Sequence, residues 1–217
     1  VVGFDGSIDE VRVYDRVLTQ QEITESMNSI YPLHGAVVSH SFESITGNTA
    51  IDTHFIAKGE HNGALSLNGA EYMSIGDEPE LSFADNKFSM SYWIKPKDVS
   101  GNKGIFSKRG SPTGPWEYSA SLYGSSNLFA SWTSTNGVVF SGLSTPTDTE
   151  WNHFIITSDG SDVDLYKNDD ILSSASKSSN SMEDTTGIFE IGRSGAIAET
   201  LLMDGMIDEF RILNKNI

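Results

Sequence analysis

The 217-residue chain contains no cysteine. That excludes disulfides, thiolate metal sites and a cysteine nucleophile. It leaves secretion open, because large exported domains manage without disulfides. There is no Asn-x-Ser/Thr triplet either, so nothing marks a glycosylation site. No apolar run is long enough to span a bilayer as a helix. Basic side chains are scarce, 14 against 30 acidic ones, and the formal net charge is −16. Such a surface repels phosphate backbones and anionic membranes, which argues against nucleic acid and membrane partners. The acidity has two readings. One is a soluble surface suited to salty surroundings. The other is that some carboxylates hold a divalent cation, most simply calcium, which prefers oxygen ligands. The chain opens on Val1-Val2-Gly3 with no signal-peptide pattern, and is expected to be a piece of a longer protein.

What is present is an ordinary globular composition, 37% hydrophobic and 20% charged, in a length that suits one large β domain. The strongest internal signal is a duplication. Residues 4–14 read FDGSIDEVRVY and residues 203–213 read MDGMIDEFRIL, 199 residues apart, with six of eleven positions identical. That period is too long for a solenoid and fits domains in tandem. The first copy runs on into DRVLTQQEITESMNSIYP, where Thr19 and Glu22 form a capping box; a short helix is expected over 20–28, ended by Pro32. The spans expected are thus 1–32, a terminal strand and short helix of a preceding repeat or linker, and 33–217, one complete domain.

Strands are expected at Ala36–Glu43, Ala64–Leu67, Tyr72–Ile75, Phe88–Lys95, Gly104–Lys108, Glu117–Tyr123, Asn127–Trp132, Val138–Ser141, His153–Ser158, Asp162–Lys167, Ile171–Ser174 and Ile188–Ile191. Turn pairs separate them: Asn62-Gly63, Asn68-Gly69, Asn136-Gly137, Asp159-Gly160 and Asn168-Asp169. No stretch between 33 and 217 carries a long helical period. Many short strands with turn signals predict an all-β, two-sheet antiparallel jelly-roll sandwich.

Four segments in order carry a family resemblance. DGSIDEVRVYDRVLTQQEI, GALSLNGAEYMSIGDEPELSF, FSMSYWIKPKD and EWNHFIITSDGSDVDLYKNDD resemble the laminin G-like jelly rolls of the concanavalin A-like lectin/glucanase group. The resemblance implies a usually non-catalytic sandwich that binds carbohydrate or protein and often carries a structural calcium ion. It covers about 33–217 as one domain and 1–23 as the tail of another.

Strand alternation puts Asp208, Phe210 and Ile212 on one face, so Asp208 points coreward. A buried carboxylate must be paired or bound. Backbone N–H groups or a lysine satisfy it in one reading. In the other it is a calcium ligand, which the resemblance favours; it then implies partners in the stretch 42–52, with Glu43, Gly47 and Asp52 as candidates. Glu209 and Arg211 read as a solvated ion pair. The related glycosidases carry a Glu-x-Asp-x-x-Glu motif, and no such motif stands at the central strand here. Asp162 and Asp164 share a solvated face opposite Val163 and Leu165. None of the five histidines has metal-site spacing; His153 reads as a packing residue, and so do Trp93 and Trp151.

Trp116 is different. It stands in KRGSPTGPWEY, a polar Gly/Pro-rich stretch, where an indole can offer a flat face to a sugar ring. Arg109 and Lys108 could add hydrogen bonds or hold a carboxylate there. Tyr118 and Trp132 complete the ligand candidates, and the other reading of Trp116 is cover for the sheet edge. The expectation is a non-catalytic, carbohydrate-binding module of a large extracellular multidomain protein, its partner a glycan or a cell-surface or matrix protein. The alternative is a spacer or assembly domain of an adhesin, fibre or surface array, with strand 4–14 in intermolecular pairing.

Overall fold

The computed structural model describes residues 36–40, 49–51, 56–59, 62–109, 116–132, 138–182, 184–196 and 199–213. The expected segment 1–32 with its short helix, and the metal candidates Glu43, Gly47 and Asp52, lie outside the described residues.

The strands, in chain order, are β1 (Ala36–His40), β2 (Thr49–Ile51), β3 (Ile56–Gly59), β4 (Asn62–Asn68), β5 (Tyr72–Gly76), β6 (Lys87–Pro96), β7 (Asn102–Arg109), β8 (Trp116–Tyr123), β9 (Ser126–Trp132), β10 (Val138–Pro146), β11 (Asn152–Asp159), β12 (Asp162–Lys167), β13 (Asp170–Ser176), β14 (Ile188–Ile191), β15 (Arg193–Ala196), β16 (Glu199–Leu202) and β17 (Asp204–Leu213). They form two antiparallel sheets. Sheet A runs β13-β12-β11-β6-β17-β4-β3, with β1 also paired to β17. Sheet B runs β10-β9-β8-β7-β14-β5-β2, and β15 and β16 form a separate hairpin. All twelve expected strands are present, the first of them over its described residues 36–40. The only helical turn among the described residues is a short 3-10 segment, Pro79–Leu81.

Period-2 patterning explains the layers. In β6, Phe88, Met90, Tyr92 and Ile94 are fully buried and point at the other sheet. Sheet B answers with Phe106, Tyr118, Ala120, Leu122, Phe129 and Phe189, also fully buried. Rings cross the gap: Tyr92 meets Phe106 edge-on at 5.4 Å between centroids, and Phe210 meets Phe106 at 5.2 Å. Burying each such side chain contributes about 1.5–3 kcal/mol.

Turn chemistry fixes the register of the hairpins. Asn168 and Asp169 both adopt left-handed backbone, φ 49° and 74°, and join β12 to β13 as a two-residue turn that suits the strand twist. Asn62-Gly63 is not a turn; both residues already belong to β4, paired with Gly59 and Lys58 of β3.

Two features set up the functional surface. The β15–β16 hairpin lies on the outer face of sheet B. Ser121 Oγ and Ser194 Oγ are 2.5 Å apart, and Ser107 Oγ donates to the Arg193 carbonyl at 3.1 Å. Gly104 permits this approach, because a Cβ there would fall 2.1 Å from Ser194 N. The second feature is a bulge in β17. Asp208 pairs with Trp93 and Arg211 with Ser91, so Glu209 and Phe210 together face Tyr92 alone. Glu209 takes the left-handed φ of 49° that the extra residue requires.

Candidate functional site

The bulge resolves the repeated DGxIDExR pattern. Gly205 has φ 151°, and a Cβ there would sit 2.5 Å from the Lys95 carbonyl oxygen, so its glycine is a matter of close approach to β6. The bulge also breaks the expected alternation. Ile207 pairs with Ile94 and Ile212 with Met90, all turned to the core. Asp208 pairs with Trp93 and therefore lies on the opposite face from Phe210 and Ile212, not with them. It is nevertheless fully buried, and its Oδ1 accepts the Glu209 N–H at 2.7 Å. One oxygen of the carboxylate thus caps the bulge. Glu209 is itself buried and pairs with Arg211, rather than standing in solvent as the sequence suggested.

Among the described residues no group of three or more His, Cys, Asp or Glu side chains is placed to hold a metal ion. Asp208 is the one proposed ligand that is described. Its Oδ1 acts there as a backbone cap.

Trp93 is a second correction. In FSMSYWIK the core residues are Phe88, Met90, Tyr92 and Ile94, and Trp93 is out of phase with them. It is half-buried on the outer face of sheet A, stacked on His153 with centroids 4.9 Å apart. His153 Nε2 lies 2.8 Å from Ser91 Oγ, so its packing role holds on the outside of the sheet. Asp162 and Asp164 face away from buried Val163 and Leu165, as expected.

The five ligand candidates separate into three groups. Lys108 and Tyr118 pair with each other across β7 and β8 and point into the sandwich, both fully buried. The Tyr118 hydroxyl donates to the Leu81 carbonyl at 2.9 Å, and burial pushes its ionisation well above the usual range. Lys108 Nζ donates to Glu117 Oε1 at 2.7 Å, Asp77 Oδ1 at 2.9 Å and the Thr185 carbonyl at 3.3 Å. Neither side chain can meet a ligand at the surface, because each lies on the inward face of the strand expected for it.

Arg109 follows Lys108 and points the other way. It is 3% exposed and pairs with Glu190 at 3.6 Å. Glu190 also accepts from Arg193 Nη1 at 3.0 Å, and the Arg193 guanidinium lies 4.6 Å above the Tyr72 ring. Arg193 remains one-fifth exposed, and its buried Nε has no hydrogen-bond partner among the described residues. Burial, with the nearby Arg193 charge, lowers the Arg109 guanidinium below its ordinary value, against the pull of Glu190. Arg109 is thus a supporting residue, and Arg193 is the arginine nearer the surface. The sequence pointed to neither Arg193 nor Glu190, because their meeting with Arg109 depends on β14 pairing with β7.

Trp116 and Trp132 form the third group. Trp116 is the first residue of β8 and the register partner of Arg109. Trp132 is the last residue of β9, one step beyond the Tyr118–Ser131 pair. Arg109, Trp116 and Trp132 therefore stand at the same end of the neighbouring strands β7, β8 and β9.

Comparison with solved structures returns the same architecture. The binding domain of Paraclostridial Mosquitocidal Protein 1 aligns with a TM-score of 0.66 at 14% identity, over 85% of this chain and 50% of that one. The receptor-binding domain of botulinum neurotoxin D gives 0.64 at 13%, over 84% and 50%, and that of type G gives 0.62 at 13%, over 84% and 48%. The chain spans about half the length of these solved chains. Identity at this level speaks for the fold alone. No curated protein matches the sequence. A family model does match, over residues 67–217, and it covers β5 to β17, the core of both sheets and the Arg109–Glu190–Arg193 cluster. On that match the chain belongs to the concanavalin A-like lectin/glucanase superfamily.

Proposed function

We propose that this chain is a non-catalytic, carbohydrate-binding module of a large extracellular multidomain protein. The observation that carries the reading is one end of strands β7, β8 and β9. Trp116 is the register partner of Arg109 and Trp132 ends β9, and on the outer face of sheet B Arg109 meets Glu190, which also holds Arg193 over Tyr72. Aromatic surface with a few fixed polar groups is what sugar recognition needs. The solved chains of the same fold that it resembles are named as receptor-binding domains of toxins, which supports a binding role.

The test is a glycan array probed with the wild-type chain and with Trp116→Ala and Trp132→Ala. The reading expects selective glycan binding that at least one substitution abolishes with Tm nearly unchanged. Absence of glycan binding by a folded wild type would overturn it and favour the spacer or assembly role.

A further inference from the structure

Lys108 is an unusual residue to find where it is. It sits on the inward face of β7, between the register partners Tyr118 and Phe189, and all three are fully buried. Its ammonium directs its three hydrogens at three oxygens: Glu117 Oε1, Asp77 Oδ1 and the Thr185 carbonyl. The two carboxylates differ. Glu117 is buried and fully engaged. Its Oε1 also accepts the Thr185 N–H at 3.0 Å and the Thr185 hydroxyl, and its Oε2 accepts from Ser82 Oγ at 3.0 Å. Asp77 has Lys108 as its one partner among the described residues, and its side chain is 37% exposed. An amine, a carboxyl carbon and a fixed proton carrier therefore meet in one place, with aromatic rings on one side and an exit to solvent on the other.

We propose that Lys108 and Asp77 condense to an intramolecular isopeptide bond, with Glu117 carrying the proton. Glu117 takes one proton from the Lys108 ammonium. The freed Nζ lone pair attacks Cγ of Asp77 and forms the C–N bond. Glu117 returns its proton to the departing Asp77 oxygen, which also takes the second proton lost by nitrogen and leaves as water. One ammonium and one carboxylate become one amide and one water, and no oxidant or cofactor is consumed.

Three physical arguments favour the step. Burying a cation and its partner anions is costly, and condensation removes one charge of each sign from that environment. The groups are held at contact distance, where effective molarities reach about 10⁵–10⁸ M. Burial also raises the Glu117 carboxyl above its ordinary range, against Lys108 and Thr185, which suits a group that must take and return a proton. The bond would tie the end of β5 to β7 across the intervening β14.

The test is intact-mass measurement of the purified chain, followed by peptide mapping. The expected mass is one water below that of the sequence, with trypsin failing to cut after Lys108 and a branched peptide joining the 77 and 108 segments. Asp77→Ala and Glu117→Gln should each restore the full mass. The mapping of the wild type stands even if a variant fails to fold. A wild-type chain at full mass, or a water loss that persists in Asp77→Ala, overturns the proposal.

Discussion

Lys108 and Arg109 are neighbours in β7, yet they serve opposite faces of sheet B. Lys108 is enclosed with Glu117 inside the sandwich, and Arg109 shares Glu190 with Arg193 on the outside. The inward cluster has its polar atoms matched to protein partners and ties two loops to the sheet, through Ser82 and Thr185. The outward cluster keeps an accessible guanidinium stacked on a tyrosine. The same chemistry therefore does two jobs. Enclosed, it locks the fold; at the surface, it leaves donors for something else.

The comparison makes graded predictions. Glu117→Ala should cost the most, about 3–5 kcal/mol by denaturant unfolding, because it removes the buried member of the ion pair and leaves Lys108 with the partly exposed Asp77, and because Ser82 and Thr185 lose their acceptor. A loss under about 1 kcal/mol would mean that the inward cluster is not the lock described. Asp208→Ala should cost about 1–3 kcal/mol, since the Glu209 N–H at the bulge then loses its acceptor. A chelator series on wild type and variant separates the two roles of Asp208. A cap leaves Tm unmoved by calcium, whereas a rise with calcium that Asp208→Ala abolishes assigns it a metal. Arg193→Ala should cost least, about 1 kcal/mol, because the pair it breaks is partly solvated. It should weaken glycan binding all the same. Equal stability losses for Glu117→Ala and Arg193→Ala would erase the distinction between the faces.

Much of the fold was legible because alternation and turn residues report directly on sheet geometry. Phe88, Met90, Tyr92 and Ile94 declared the inward face of β6, and Asn168-Asp169 declared its turn. The strands that escaped notice are short or polar. Thr49–Ile51 and Ile56–Gly59 have too few residues for a period to show, and Arg193–Ala196 with Glu199–Leu202 make a hairpin whose partner is the outside of a sheet. The site was less legible. A left-handed glutamate at 209 carries no glycine to advertise the bulge, so the face read for Asp208, on the near side of it, inverted, while Phe210 and Ile212 stayed coreward. Lys108 read as the last residue of its strand and Arg109 as the start of a loop, because the Gly/Pro stretch follows them directly. Their partners Glu117, Thr185 and Glu190 are set by pairing between distant strands, and no local pattern encodes that.

The pairing of β1 with β17 has a mechanical consequence. The two strands are antiparallel, and Ala36 lies opposite Leu213. Tension applied through those two residues would peel the ladder open one rung at a time rather than shear it all at once. Such a geometry yields at low force. Asp77 and Lys108 lie far along the chain from that opening seam, and a covalent tie between them would hold the segment from β5 to β7 closed after the first and last strands had parted. Under load the domain would then lengthen through the chain outside the 77–108 loop alone, and that loop would stay folded back on itself.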